Sequence, residues 1–111
     1  MQEFINLLKK PEAAIIVEGK KDQQALKEFD IPSIQLNNQP IYKVVESIEQ
    51  KEVIILTDLD KAGRKLYSKL KHNLQKKGKR INDKPREFLF KNTRITYIES
   101  LKRLNLKTNN F

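Results

Sequence analysis

The chain has 111 residues, with 23 Lys and Arg against 14 Asp and Glu, and a net charge of +9. Lacking cysteine, it holds no disulfide, thiol nucleophile or Cys-ligated zinc; its single histidine, His72, argues against a His-rich metal site or a His-based triad. A hydrophobic content of 38% is lean but enough for one core, so a single domain over 1–111 is expected and a multidomain enzyme is not.

Phe4, Ile5, Leu7 and Leu8 recur at helical spacing in residues 1–10, and Pro11 ends that pattern. Ala13–Val17 is a continuous apolar run, too short for a helix, and reads as a strand buried on both faces. Glu18-Gly19 breaks it. A short helix is predicted from Asp22 to Phe29, then a weak strand at Ile34–Leu36 between Pro32 and Asn37-Asn38. Ile41, Val44, Val45 and Ile48 mark an amphipathic helix over 41–50. Val53–Thr57 is the second buried strand, followed by Asp58. The longest helix is predicted over Lys61–Lys77, with Gly78 as its stop. A strand at Lys79–Asn82, a helix at Pro85–Phe90 and a late strand at Thr93–Ile98 complete the pattern, and 107–111 reads as frayed. Strands alternating with helices imply an α/β domain with a mostly parallel sheet. Its core would span about 13–80, with a C-terminal extension over about 85–111.

The apolar runs are far too short to span a membrane, and the amino end lacks a secretory pattern, so a cytoplasmic protein is expected. The positive charge predicts a polyanionic partner, nucleic acid first, because the cations cluster. Between Lys61 and Lys84 only Asp83 opposes a dense basic run. A solvated helix face accounts for part of that run.

Parallel sheets bind ligands at the carboxyl ends of their strands. Both strong strands here end in acids: Glu18 follows the first, and Asp58 with Asp60 follows the other. Carboxylates held together repel, and a divalent cation relieves the repulsion. Hard oxygen ligands suit Mg²⁺ or Mn²⁺, which also reach substrate phosphates. A carboxylate site in a basic protein therefore points to phosphodiester chemistry, with a Glu set apart from the metal as general acid or base. Each acid also has an ordinary use. Asp60 is placed to cap the helix that starts near Lys61, and Asp22 to cap or begin its own.

IIVEGKKD (15–22) followed by VIILTDLDKAG (53–63) resembles the toprim domain of topoisomerases, bacterial primases and ribosomal-RNA maturation nucleases. The likeness covers about 13–80, and in size the chain is similar to small stand-alone toprim proteins of bacteria and archaea. The resemblance implies a compact Rossmann-like toprim fold with a four-stranded sheet. It also implies roles: Glu18 as general acid or base, Asp58 and Asp60 as holders of Mg²⁺ (or Mn²⁺), Gly19 as the turn glycine, and Asp22 and Gly63 as structural residues at the site. Ala62 stands where topoisomerases often carry a third acid, as in the primase and maturation-nuclease pattern.

Lys20 and Lys21 beside Glu18, and Arg64, Lys65 and Lys69 past the acidic pair, are the candidate phosphate contacts; Arg80 and Arg86 are weaker ones. Phe4, Phe29, Phe88 and Phe90 read as core, and Tyr42, Tyr67 and Tyr97 as core or surface, so no base-stacking platform is expected. Nothing resembles a Gly-rich phosphate loop. The function expected is a Mg²⁺-dependent nucleic-acid phosphodiester hydrolase acting on RNA or DNA. The alternatives are a non-catalytic, metal-dependent adaptor docking on nucleic acid or a larger processing assembly, and a toprim frame retained only as structure. A protein partner or a homodimer is compatible with the small core.

Overall fold

A computed structural model describes residues 2–103 of the chain. Its elements in chain order are α1 (Gln2–Leu8), β1 (Ala13–Val17), α2 (Lys20–Lys27), β2 (Ile34–Gln35), α3 (Ile41–Ser47), β3 (Glu52–Leu56), α4 (Lys61–Lys76), β4 (Arg80–Ile81) and α5 (Lys84–Asn92), then a 3₁₀ turn at Ile98–Ser100. The four strands form one sheet in the order β2-β1-β3-β4, parallel throughout. The residues expected to fray, 107–111, lie outside the described residues.

The two long strands are central because both of their faces are apolar. Ile15, Val17, Ile54 and Leu56 point to one layer, against Phe4, Leu8, Leu26, Leu89 and Ile98. Ala14, Ile16, Val53 and Ile55 point to the other, against Val44, Val45, Leu70 and Leu74. The strand period of two thus divides each apolar run between two layers of helix. Truncating Ile55 or Leu56 to Ala would remove about 2–5 kcal/mol of stability. The two-residue strands β2 and β4 occupy the edges, where little pairing is available.

Several boundaries differ from the sequence pattern, each for a local reason. Helix α2 starts at Lys20, so Asp22 lies inside its first turn and reaches back to accept the Gly19 N–H at 3.1 Å. Helix α3 stops at Ser47; Ile48 turns extended, and the Lys79 ammonium donates to the carbonyls of Ile48 and Gln50 at 2.8 Å each. Gly78 adopts φ +78° after α4, the left-handed stop that glycine favours.

Thr93–Ile98 forms no strand. Its polar groups are taken one at a time: the Thr93 hydroxyl donates to Leu89 O, Thr96 O accepts from the Leu59 N–H at 2.7 Å, and the Ile98 N–H donates to Asp58. The β-branched alternation there records Ile95 and Ile98 turning inward, without a sheet edge to join. Phe90 also departs from expectation. It is 51% exposed, because Phe88 and Leu89 take the core side of α5 while Phe90 shares a face with Arg86, four residues earlier. Among the described residues no helix is long and apolar enough to cross a membrane.

Candidate functional site

From β1 the chain runs outward to β2, then returns past β1 to β3, so strand order reverses between β1 and β3. A crevice opens at the carboxyl ends of the strands at such a point. Val17 and Leu56 are register partners, so Glu18 and the Thr57-Asp58 pair leave the sheet side by side.

Four carboxylates gather at this end, and each accepts one backbone N–H. Glu18 Oε2 accepts from Asp58 N at 2.7 Å. Asp58 Oδ1 accepts from Ile98 N at 2.9 Å. Asp60 Oδ1 caps α4 by accepting from Gly63 N at 2.8 Å. Asp22 Oδ2 holds Gly19 N. The backbone beneath is tightly folded: the buried Thr57 hydroxyl donates to Gly63 O at 2.7 Å. A Cβ on Gly63 would stand 2.0 Å from Asp58 O, so only glycine fits there. Gly19 differs. Its backbone is extended and no protein atom lies within 4 Å of a Cβ built on it. Neither a turn nor a close approach within the chain requires that glycine.

Burial first, and then the neighbouring acids, push the carboxyls of Glu18, Asp58 and Asp22 above their ordinary range. Glu18 is raised by burial, partly opposed by the Asp58 N–H, and raised again by Asp58 and Asp60. Asp58 is raised by burial, opposed by the Ile98 N–H, and raised further by Asp60 and Glu99. Asp22, buried and facing Asp58, is pushed up to about 6. Arg86 is the counterweight from below. It is 5% exposed, and its guanidinium donates to Thr57 O at 2.7 Å and to Asp58 O at 3.1 Å.

The sequence-predicted cations divide. Lys20, Lys21, Arg64, Lys65 and Lys69 are all exposed. The first two open α2 and the next two follow the start of α4, so both helix starts flank the acids with positive charge. Lys21 also lines a cleft with Glu99, Lys102 and Arg103. The basic run is not one surface. Lys71 pairs with Asp83, and Arg80 pairs with Glu52 at the amino end of β3, away from the acids.

Among the described residues, no three acidic or His side chains form a ready-made metal-ligating group. The donor chemistry nevertheless suits a hard divalent cation. Every donor is a carboxylate, each with one oxygen held by an N–H and the other not engaged by a protein donor among the described residues. Mg²⁺ is commonly held by one or two carboxylates with waters completing its shell, so three protein ligands are not required.

Two contributors were not legible as site residues. Arg86 looked like a weak phosphate contact; its signal was a basic residue among Pro85, Phe88 and Leu89 on a helix. Glu99 carried none, since only the chain reversal after α5 brings it to Asp22 and Asp58.

Comparison with known proteins places this geometry. The profile of a family described as Toprim-like matches residues 15–91. The chain is 36% identical over 97 residues to a UPF0292 protein of Methanocaldococcus jannaschii, covering 81% of this chain and 76% of that one. It is 36% identical over 89 residues to a UPF0292 protein of Pyrococcus abyssi, covering 78% and 67% respectively. A solved structure of a protein from Aquifex aeolicus matches with a TM-score of 0.83 at 36% identity, over 90% of this chain and 96% of that one.

Proposed function

The chain belongs to the Toprim-like family, whose work is metal-dependent and concerned with nucleic acid; from that premise we propose that it is a Mg²⁺-dependent phosphodiester hydrolase of RNA or DNA. The observation that carries the reading is the bond from Asp58 N–H to Glu18 Oε2. It joins the ends of β1 and β3 and leaves Glu18 Oε1 to face a substrate.

Asp58 and Asp60 would hold the divalent cation through the oxygens that Ile98 N and Gly63 N leave free. When bound, the metal supplies Lewis-acid polarisation of the phosphoryl group. The rest falls to the chain. Glu18 moves a proton at Oε1, from the attacking water or to the leaving oxygen, and its raised affinity for protons suits that work. Lys20, Lys21, Arg64, Lys65 and Lys69 bind backbone phosphates on either side, helped by the positive ends of α2 and α4. Gly19 leaves room for a phosphate to approach the backbone.

A second reading has its own support. All four carboxylates hold a backbone N–H, so each has a structural task without catalysis. A metal-dependent adaptor on nucleic acid follows from that.

The test is a cleavage assay with end-labelled RNA and DNA, single- and double-stranded, in Mg²⁺, Mn²⁺ or EDTA, with wild type and Glu18→Gln. Metal-dependent cutting that vanishes in the variant supports the hydrolase. Salt-sensitive binding with no cutting of any substrate overturns it in favour of the adaptor.

A further inference from the structure

Beside the acids, α4 and α5 enclose a cleft of about 320 Å³ with Arg64, Tyr67, Arg86, Glu87 and Phe90 in its lining. We propose that this cleft takes an unpaired base of a nucleic-acid strand, stacked on Phe90, whose backbone continues to the acidic end of the sheet. The proposal deepens the nucleic-acid reading above and rests on it.

The construction of the cleft supports a flat, electron-rich ligand. Phe90 is a large apolar ring left 51% exposed on a protein whose core is lean. The Arg86 guanidinium carbon stands 4.6 Å from the Tyr67 ring centroid and 5.8 Å from that of Phe90, so cation and rings already form a stack. Tyr67 is fixed, because its hydroxyl donates to Asp83 Oδ1 at 2.6 Å while Lys71 holds the other Asp83 oxygen at 3.2 Å. The Tyr67 side of the cleft is therefore preformed.

Charge separates base from phosphate. Glu87 offers a base amino group an acceptor and repels a phosphate, whereas the exposed Arg64 attracts one toward Asp60, four residues before it. The cleft is also coupled to the site, since the same Arg86 donates to Thr57 O and Asp58 O. A nucleotide with its base on Phe90 thus has its phosphate directed to the ends of β1 and β3. Duplex bases, stacked on one another, present no free face, so the ligand is a single strand or an unpaired residue.

The chain has no tryptophan, so Phe90→Trp installs a unique fluorophore in the cleft. In EDTA, saturable quenching by oligothymidylate or oligouridylate is expected, with little quenching by an abasic strand of equal length. The two oligonucleotides distinguish DNA from RNA. Phe90→Ala should weaken oligothymidylate or oligouridylate binding by about five- to 150-fold, the range of one stacked base. Its affinity for the abasic strand should stay as in wild type. Equal quenching by the abasic strand, or wild-type affinity in Phe90→Ala, overturns the proposal. Quenching that follows protein concentration without oligonucleotide also overturns it and assigns the cleft to a second copy. Because binding is read without metal, the two readings fail separately: cleavage indifferent to Phe90 removes the stacking site alone, and stacking without cleavage removes the hydrolase alone.

Discussion

Glu18 and Asp58 are 40 positions apart, yet Glu18 Oε2 accepts the Asp58 backbone N–H at 2.7 Å. One acid therefore positions the backbone of the other. The bond forms because β1 and β3 are parallel neighbours in register up to Val17 and Leu56. It also orients Glu18, since one oxygen is committed and the carboxylate cannot rotate freely.

That dual role separates two substitutions. Glu18→Gln keeps a carbonyl oxygen to accept the Asp58 N–H, so it should fold like the wild type while losing proton transfer. Glu18→Ala leaves that half-buried N–H unpartnered and should lower stability by about 1–3 kcal/mol. Urea unfolding of both variants, beside cleavage and oligonucleotide binding, checks this. An equal loss of stability in both would show that the side chain's charge, and not its acceptor, holds the turn.

The two glycines at the site should respond in opposite ways. Gly63→Ala drives a Cβ into Asp58 O and should destabilise by about 1–3 kcal/mol or more, because backbone must move. Gly19→Ala meets nothing in the chain, and its extended backbone suits alanine; stability should hold or rise by up to about 1 kcal/mol. If Gly19→Ala nonetheless loses nucleic-acid affinity, the space above it belongs to the ligand. Calorimetric melting with parallel binding measurements reads both effects.

The central strands, the long helix and the three strand-end acids were legible because each is a local signal: an apolar run, a 3.6-residue stripe, an acid just past a strand. Asp60 was foreseen as a cap and is one. What could not be read depends on contacts between distant segments. Thr93–Ile98 carries strand-forming residues, but its N–H and C=O groups meet Asp58 and Leu59 instead of a sheet edge. Phe90 looked like core because hydrophobicity does not say which side of α5 faces inward. Arg86 read as a weak phosphate contact because its acceptors, the carbonyls of Thr57 and Asp58, lie on another element.

Asp22 sets a pH dependence with a definite sign. Its folded-state pKa of about 6 lies above the ordinary 3.8, so folding favours the protonated form. The stability this contributes is complete below pH 4 and is lost as pH rises through about 6. Asp22→Asn keeps an oxygen for the Gly19 N–H and removes the buried charge. It should therefore be the more stable protein at pH 7, by about 1–3 kcal/mol, with the advantage gone by about pH 4. Unfolding curves of both proteins across this range test the point, and a gap that does not change with pH would contradict it.

Arg86 should be the least replaceable basic residue near the acids. Its guanidinium fills two acceptors at once, the carbonyls of Thr57 and Asp58, and offsets the charges of Glu18 and Asp58 from beneath. Lysine reaches as a single point charge and cannot reproduce that fork. Arg86→Lys should cost about 1–3 kcal/mol, and Arg86→Met more, because it leaves the carbonyls unpartnered and the carboxylates uncompensated. Removing the cation should also push Glu18 and Asp58 further up, so the limb of a cleavage-against-pH profile that these carboxyls govern should move to higher pH in Arg86→Met. By contrast, Arg80→Met, at the far end of the sheet, should leave that profile in place. Chemical denaturation and pH profiles of the three variants would decide it. A profile that moves as much for Arg80→Met as for Arg86→Met would mean that overall charge, and not the bonded guanidinium, tunes the acids.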